Sequence, residues 1–359
     1  MKAPDKLIKV ESLSDWEALS LASESVPRSS ADMLDYTVEE IFPRLEMDRW
    51  VQYMISMIPE GHVSTFGDIA RGLGDVRASR AVGNLIASGG LDAPIHRVIY
   101  SDGRIPEPSL GKLHEETDKK NPNGIRIQFD VSKPPLQSLS EVQTATADLL
   151  DLNWRGEVNN LFGVDISSKG SLHVAAGSVQ DLKGEEVGNV SVTGEMGLPY
   201  ISGYLFFREG PLLIKLYSKA LGAGYLDGRS LLIIDGNGIL HPRRMGIASH
   251  LGGVLDKPCC GVCKRLMTGQ IESDTNLLDD LEYSEVKDRD ETIGFAVSKG
   301  GRKPYYLSPG HACDISGLLE VMAPVSIRRI PEPTRRAHVL ANEIRRGIEA
   351  NSGIKTRDG

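Results

Sequence analysis

The chain has 359 residues, 40% of them hydrophobic and 25% charged, with a formal net charge of −8. That is enough chain for two ordinary domains with their own cores, and the balance excludes a disordered protein. No apolar run approaches the ~20 residues needed to cross a bilayer. The opening Met1-Lys2-Ala3-Pro4-Asp5-Lys6-Leu7 lacks the apolar core of a signal peptide, so the expectation is a cytoplasmic protein with no membrane partner.

The acidity does not exclude nucleic acid. Residues 1–48 hold eleven acidic and five basic side chains, whereas residues 321–359 hold eight basic and four acidic ones. Phosphate binding needs a local positive footprint rather than a positive sum, and a nuclease centre itself needs carboxylates to hold metal.

In chain order, the first 45 or so residues look helical and acidic, with a capped helix start at Ser14-Asp15-Trp16-Glu17-Ala18-Leu19. From Met47 to about Tyr100 the period is helical. A polar stretch follows to Lys119-Lys120-Asn121-Pro122-Asn123-Gly124, then Ile125-Arg126-Ile127-Gln128-Phe129 alternates like an edge strand. Consecutive prolines in Ser132-Lys133-Pro134-Pro135-Leu136 suggest a linker. The expected division is an acidic extension (1–46), a first domain (47–131), a linker (132–138) and a second domain (139–359).

Beyond the linker the pattern predicts a helix over 139–153, strands at 161–167, 171–179 and 187–193, a helix at 211–221 and a buried strand Leu231-Leu232-Ile233-Ile234. Three strands in succession followed by alternating helices and strands imply an α/β fold, a mixed sheet flanked by helices. The four cysteines, Cys259, Cys260, Cys263 and Cys313, follow strand-like sequence. They read as buried thiols rather than as a zinc site with His311.

In the first domain Thr65 can cap a helix Phe66-Gly67-Asp68-Ile69-Ala70-Arg71-Gly72-Leu73, Gly74 offers a left-handed turn, and a second helix begins near Arg77. Two short helices about a glycine turn make a candidate helix-turn-helix, which either binds DNA or merely packs. The segments Ile58-Pro59-Glu60-Gly61, Phe66-Gly67-Asp68-Ile69-Ala70, Ala78-Ser79-Arg80-Ala81-Val82-Gly83 and Pro94-Ile95-His96-Arg97-Val98-Ile99 occur in order. This series resembles the DNA-binding domain of O6-alkylguanine alkyltransferases over about residues 47–130. The family's acceptor cysteine falls at Ile95, which is more similar to alkyltransferase-like proteins that bind alkylated guanine without repairing it. No cysteine precedes Cys259, so alkyl transfer to a thiolate is excluded in this domain. The resemblance implies a small, mainly helical, winged helix-turn-helix domain. Arg80 would fill the gap left by a flipped base, and Phe66 stands where a phosphate-rotating tyrosine is common, without its hydroxyl. Pro94, Ile95, His96 and Arg97 would be structural or line the pocket. Lesion-sensing members carry an arginine in the following loop, where this chain has Glu107-Pro108-Ser109.

In the second domain three apolar runs end on carboxylates: Leu161-Phe162-Gly163-Val164-Asp165, Leu205-Phe206-Phe207-Arg208-Glu209 and Leu231-Leu232-Ile233-Ile234-Asp235. One carboxylate at a strand end is often only a cap; three converging from neighbouring strands suit Mg²⁺. Around them lie Pro199-Tyr200-Ile201-Ser202-Gly203, Phe207-Arg208-Glu209-Gly210-Pro211, Asp235-Gly236-Asn237-Gly238-Ile239-Leu240-His241-Pro242-Arg243-Arg244, Ala248-Ser249-His250-Leu251-Gly252 and Arg329-Ile330-Pro331-Glu332-Pro333-Thr334-Arg335. This series resembles endonuclease V from about residue 139 to 350 and implies a ribonuclease H-like fold.

That resemblance assigns catalytic Mg²⁺, with Mn²⁺ able to take its place, to Asp165, Glu209 and Asp235. His241 would orient water or the leaving group, Lys264 would bring positive charge to the phosphate, and His311 would stand behind them. Pro199, Tyr200, Ile201 and Ser202 would form a wedge inserted where the lesion base leaves the stack. Gly203, Leu205, Gly238 and Gly261 would form the lesion pocket, with the glycines letting backbone amides approach the base. The implied activity is nicking of DNA at deoxyinosine, at the second phosphodiester 3′ to the lesion. The implied partners are damaged double-stranded DNA, with single-stranded DNA, RNA and repair proteins as further candidates. The competing readings are an inosine-specific endoribonuclease and a non-catalytic lesion-binding adaptor.

Overall fold

The computed structural model describes residues 6–10, 46–117 and 124–352, which fall into two compact units. Of the described residues, the first unit takes 6–10, 46–142 and 198–202, and the second takes 143–197 and 203–352.

The first unit contains β1 (Lys6–Val10), α1 (Met47–Ser56), β2 (His62–Thr65), α2 (Phe66–Gly72), α3 (Ser79–Ala87), β3 (Val98–Ile99), α4 (Leu110–Glu116) and β4 (Ile125–Val131). In α1 the buried residues Met47, Trp50, Val51, Met54 and Ile55 recur at helical spacing, giving one apolar face. The four strands order β1-β4-β2-β3, all parallel. Two expectations change here. Residues 6–10 form a strand rather than helix, and they cover β4, which is interior rather than an edge. The helix start expected at residues 14–19 lies outside the described residues.

The helix-turn-helix forms as the sequence predicts. Thr65 accepts from the Asp68 backbone N–H at 3.0 Å, capping α2. Gly74 takes φ +101°, and a Cβ there would also meet Gln137 N at 2.7 Å and Pro134 Cβ at 2.9 Å. Those contacts come from the expected linker, which is helical from its second proline: α5 runs Pro135–Ala147. Proline suits the first helical position because its missing N–H has no partner there.

One buried carboxylate ties the unit together. The Asp68 side chain is fully buried. It accepts from Arg126 Nε (2.8 Å) and Nη2 (2.8 Å) on β4, Gln128 Nε2 (2.9 Å), Arg71 Nη1 (2.8 Å) and Thr65 Oγ1 (2.7 Å). Burial pushes its pKa up, but Arg126, Thr65 and Gln128 outweigh that and hold it below the usual carboxylate value.

The second unit is built on a ten-stranded sheet. β5 (Asn160–Lys169), β6 (Leu172–Asp181) and β7 (Glu186–Gly194) form an antiparallel meander. β8 (Ser230–Asp235) lies parallel to β5, and β9 (Cys259–Cys263) parallel to β8. β10 (Gln270–Ile271), β11 (Asn276–Leu278), β12 (Leu281–Asp288), β13 (Glu291–Ser298) and β14 (Tyr305–His311) complete the order β10-β12-β13-β14-β9-β8-β5-β6-β7, with β11 on β12. Four helices accompany it: α6 (Leu205–Gly222), α7 (Ile247–Leu255), α8 (Ile315–Met322) and α9 (Glu332–Ser352). Leu161, Leu231, Ile233, Val262, Leu307 and Met322 pack in its main core. This is the mixed α/β sheet expected.

The run Leu205-Phe206-Phe207-Arg208-Glu209 is not a strand. It opens α6, where Phe206, Gly210, Leu213 and Tyr217 bury at helical spacing. Pro211 lies inside the helix, where it lacks the N–H that would donate to Phe207 and its ring crowds that carbonyl. The cysteines are buried free thiols. Cys260 and Cys263 stand three apart on β9, and strand alternation sends them to opposite faces, so the pair does not chelate. No described helix is long and apolar enough to cross a membrane.

Replacing Asp68 by Ala leaves Arg126 without its buried partner, and we expect a loss of about 3–5 kcal/mol. Chemical denaturation followed by circular dichroism measures it.

Candidate active site

The parallel register of β5 and β8 brings two carboxylates together. Val164 pairs with Ile234, so Asp165 and Asp235 are the next residues on strands about 4.8 Å apart. Glu209 arrives separately, in the second turn of α6. A Cβ on Gly236 would lie 3.7 Å from Leu205 Cδ2, so the start of α6 packs beside the end of β8. The three acids feel one another. Burial, opposed by Arg208 and reinforced by the charges of Asp165 and Asp235, pushes Glu209 up to about 8. Burial and Asp235 likewise raise Asp165 above its ordinary value, against His338.

Two basic side chains answer them. Lys264, immediately after β9, places Nζ 3.1 Å from Asp235 Oδ2. His338 on α9 places Nδ1 2.6 Å from Asp165 Oδ2. Glycine explains how α9 reaches β5: at Gly163 a Cβ would run into the backbone of Pro333 and Thr334. Asn342 accepts from Ser167 Oγ (2.8 Å) through Oδ1 and sets Nδ2 3.2 Å from His338 Nε2. That arrangement leaves Nδ1–H of His338 to donate to Asp165. His338 was not anticipated from the sequence.

Among the described residues no three His, Cys, Asp or Glu side chains stand ready as a metal cluster. Asp165 is paired with His338 and Asp235 with Lys264. The donor set nevertheless fits a hard divalent cation: oxygen donors on adjacent strands and a helix, with Asp165 and Glu209 raised first by burial and then by neighbouring carboxylate charge.

Other expected site residues take different places. His241 is buried. Its Nε2 lies 3.2 Å from the Gly203 carbonyl and its Nδ1 accepts from Arg243 N–H at 3.2 Å. Gln143 Nε2 (3.2 Å) and Arg243 Nη2 (2.8 Å) donate to the same carbonyl, and Arg243 Nε donates to Gln143 Oε1 at 2.9 Å. Three donors thus pin Gly203, which takes φ +88°, directly after the wedge segment in the chain. His241 holds backbone here rather than presenting a nitrogen to water.

Gly238 and Gly261 are buried and closely packed. A Cβ on Gly238 would strike Pro309 O, and one on Gly261 would strike Gly238 N. The Gly238 amide already donates to Ser308 Oγ at 2.9 Å. Leu205 begins α6 and is partly exposed. His311 is not beside the carboxylates. It pairs with Cys259, which aligns with Leu232, whereas Asp235 aligns with Val262. That is about 10 Å along the strands and two strands over. There it is 3.2 Å from Asp256, within a cluster joined by Arg155 and Asp151.

In the wedge segment Tyr200 is 60% exposed and Ile201 buried, with Pro199 and Ser202 between these extremes. In the first unit Arg80 is exposed on α3, and Phe66 and Ile95 are partly buried. Pro94 precedes a single 3-10 turn, Ile95–Arg97. His96 and Arg97 are structural: Arg97 Nε (2.6 Å) and His96 Nε2 (2.8 Å) both meet Glu116, and Arg97 Nη1 donates to Ile58 O at 2.7 Å. Arg97 and, against burial, His96 draw the Glu116 carboxyl down to about 2.

Fold and carboxylate site together are those of a metal-dependent nuclease. A family model described as Endonuclease V matches residues 144–339, and one described as the 6-O-methylguanine DNA methyltransferase DNA-binding domain matches residues 46–120. The bifunctional methyltransferase/endonuclease of Picrophilus torridus is 34% identical over 244 residues, 64% of this chain and 78% of the relative. Endonuclease V of Dictyoglomus turgidum is 36% identical over 191 residues, 52% of this chain and 81% of the relative. The crystal structure of endonuclease V from Bacillus subtilis is 25% identical, with a TM-score of 0.54 over 60% of this chain and 94% of that one. The Ciona intestinalis endonuclease V, solved with a 24mer DNA containing an inosine followed by a ribo-adenosine, shares the fold at 22% identity and a TM-score of 0.53 over 60% of this chain and 99% of that one. The chain belongs to the endonuclease V family.

A carboxyl with a raised folded pKa stabilises the fold at low pH and loses that contribution as pH rises towards the folded value. With metal chelated, the protein should therefore lose stability between about pH 4.5 and pH 8 as Glu209 ionises. Glu209→Gln should flatten that slope and melt higher than the native chain at pH 8. Thermal melts across this range in EDTA check it.

Proposed function

We propose that this protein nicks DNA at deoxyinosine, at the second phosphodiester 3′ to the lesion, by hydrolysis dependent on Mg²⁺ or, in its place, Mn²⁺. The observation that carries this reading is the adjacency of Asp165 and Asp235 on β5 and β8, with His338 and Lys264 on the two aspartates and Glu209 of α6 near enough to feel both charges. The inosine carried by the Ciona relative's DNA supports the choice of lesion.

Asp165, Glu209 and Asp235 would hold the metal, with His338 orienting Asp165 through its Nδ1–H. The bound metal supplies an activated water and offsets charge on the phosphate and leaving oxygen. Lys264, now on Asp235, would exchange that partner for a phosphate oxygen and add positive charge where the transition state gains negative charge. The Gln143, His241 and Arg243 donors would keep the Gly203 carbonyl, and with it the base of the wedge, in one orientation. Tyr200 would stack into the gap left by the departing base.

The division of labour would fall between a DNA-binding domain over 47–131 and a nuclease domain over 139–359. The first would hold damaged duplex, with O6-alkylguanine as a candidate lesion, and raise the effective concentration of DNA at the second. Ile95 at the acceptor position leaves it without alkyl transfer.

Asp235→Ala should lower nicking of an inosine-containing duplex in Mg²⁺ by more than about 100-fold, and His338→Ala by about 10–100-fold, the usual loss when a ligand's orienting partner is removed. Gel assays of strand cleavage measure both. Unchanged nicking by Asp235→Ala would remove the carboxylate centre from the mechanism.

A further inference from the structure

From Phe66 of the helix-turn-helix an aromatic and cationic stack continues outward to Tyr100 and Arg104, two residues with no role in the site described above. Phe66 opens α2, and its ring lies close on α3, 3.8 Å from where a Cβ on Gly83 would stand. Tyr100 packs against it, with ring centroids 5.4 Å apart and planes at 52°. Arg104 then lies over Tyr100, its Cζ 5.2 Å from the ring centroid.

A tight turn after β3 builds this stack. Tyr100 N–H donates to Arg104 O and Gly103 N–H donates to Tyr100 O, both at 2.9 Å. Gly103 takes φ +87°, which favours glycine. Asp102 Oδ2 accepts Arg104 Nε at 2.7 Å and fixes the guanidinium plane. The product faces water: Tyr100 is 44% exposed and the Arg104 side chain 76%. Phe66, by contrast, is wedged between Gly83 and Tyr100, so Tyr100 offers the more accessible ring.

We propose that Tyr100 and Arg104 form a platform for an unpaired or extruded base of DNA, the ring stacking on the base and the guanidinium taking the adjoining phosphate. The proposal rests on reading the first unit as DNA-binding. Its support is the chemistry of the pair, its contact with Phe66 at the start of a helix-turn-helix, the exposed Arg80 on α3, and the match of residues 46–120 to a DNA-binding domain. Aromatic rings hold bases of any sequence through their π-faces, and arginine adds charge at the backbone. The platform therefore reads the presence of an unstacked base rather than its identity. It also supplies a cation in the loop after the Pro94-Ile95-His96-Arg97 motif, where Glu107-Pro108-Ser109 does not.

The test uses the full chain in EDTA, which prevents cleavage, and a fluorescent duplex carrying one bulged 2-aminopurine. Binding is read by anisotropy and base stacking by quenching of 2-aminopurine. Tyr100→Ala should weaken binding at least about fivefold, the lower end for losing one stacked base, and abolish the quenching. Tyr100→Phe should retain both, which also shows that the site tolerates substitution. Arg104→Ala should weaken binding and flatten its salt dependence. Quenching and affinity unchanged in Tyr100→Ala would overturn the platform. If Arg80→Ala then weakens binding, the first unit still binds DNA by another surface; if it too has no effect, the DNA-binding reading of that unit falls with it.

Discussion

Burial of carboxylates beside one another is the constraint that the second unit has to meet. Asp165 and Asp235 stand at neighbouring positions of parallel strands, and Glu209 joins them from a helix. Bringing three such groups out of water costs free energy that no folding unit tolerates without compensation. The cost is visible in Glu209, pushed up to about 8, and in the partners the aspartates take, the His338 ring on Asp165 and the Lys264 ammonium on Asp235. On the proposed reading, a divalent cation held by these carboxylates would offset their mutual repulsion more fully.

The rest of the sheet serves that placement. The fully buried run Ser230 to Ile234 sets the height of Asp235, and the Gly163 gap lets α9 cross β5 closely enough to deliver His338. A second device governs the chain after the wedge: three donors from Gln143, His241 and Arg243 converge on one carbonyl. Removing any of them leaves buried polar groups unpaired, so orientation of that backbone is enforced by the cost of the alternatives. Asp68 plays the matching part in the first unit, joining both ends of α2 to β4.

Much of this was legible in the amino-acid order. The apolar run stopping on Asp235 announces a buried strand with an acid at its mouth, and the helix-turn-helix follows from the Thr65 cap and Gly74; Asp165 was read as a strand end but lies within β5, which continues to Lys169. Glu209 was read at the end of a strand and lies in a helix, because five apolar-rich residues are too few to show whether the period is two or 3.6. His338 left no local signal: it reaches Asp165 from 173 residues away, through a helix whose closeness depends on one glycine of another strand. His311 was set behind the carboxylates by resemblance alone, and it lies in β14 beside the start of β9, where pairing across the sheet rather than local sequence decides its neighbours. Gly238 and Gly261 likewise take their places from neighbouring backbone that local sequence does not show. β4 read as an edge because the strand that covers it, β1, begins more than a hundred residues earlier.

The most direct measurement is uptake of Mn²⁺, followed by loss of the free-ion paramagnetic resonance signal. The account predicts that the native chain binds the ion and that a chain carrying Asp165→Asn, Glu209→Gln and Asp235→Asn together, still folded by circular dichroism, does not. Equal uptake by both would show that these carboxylates do not share a cation.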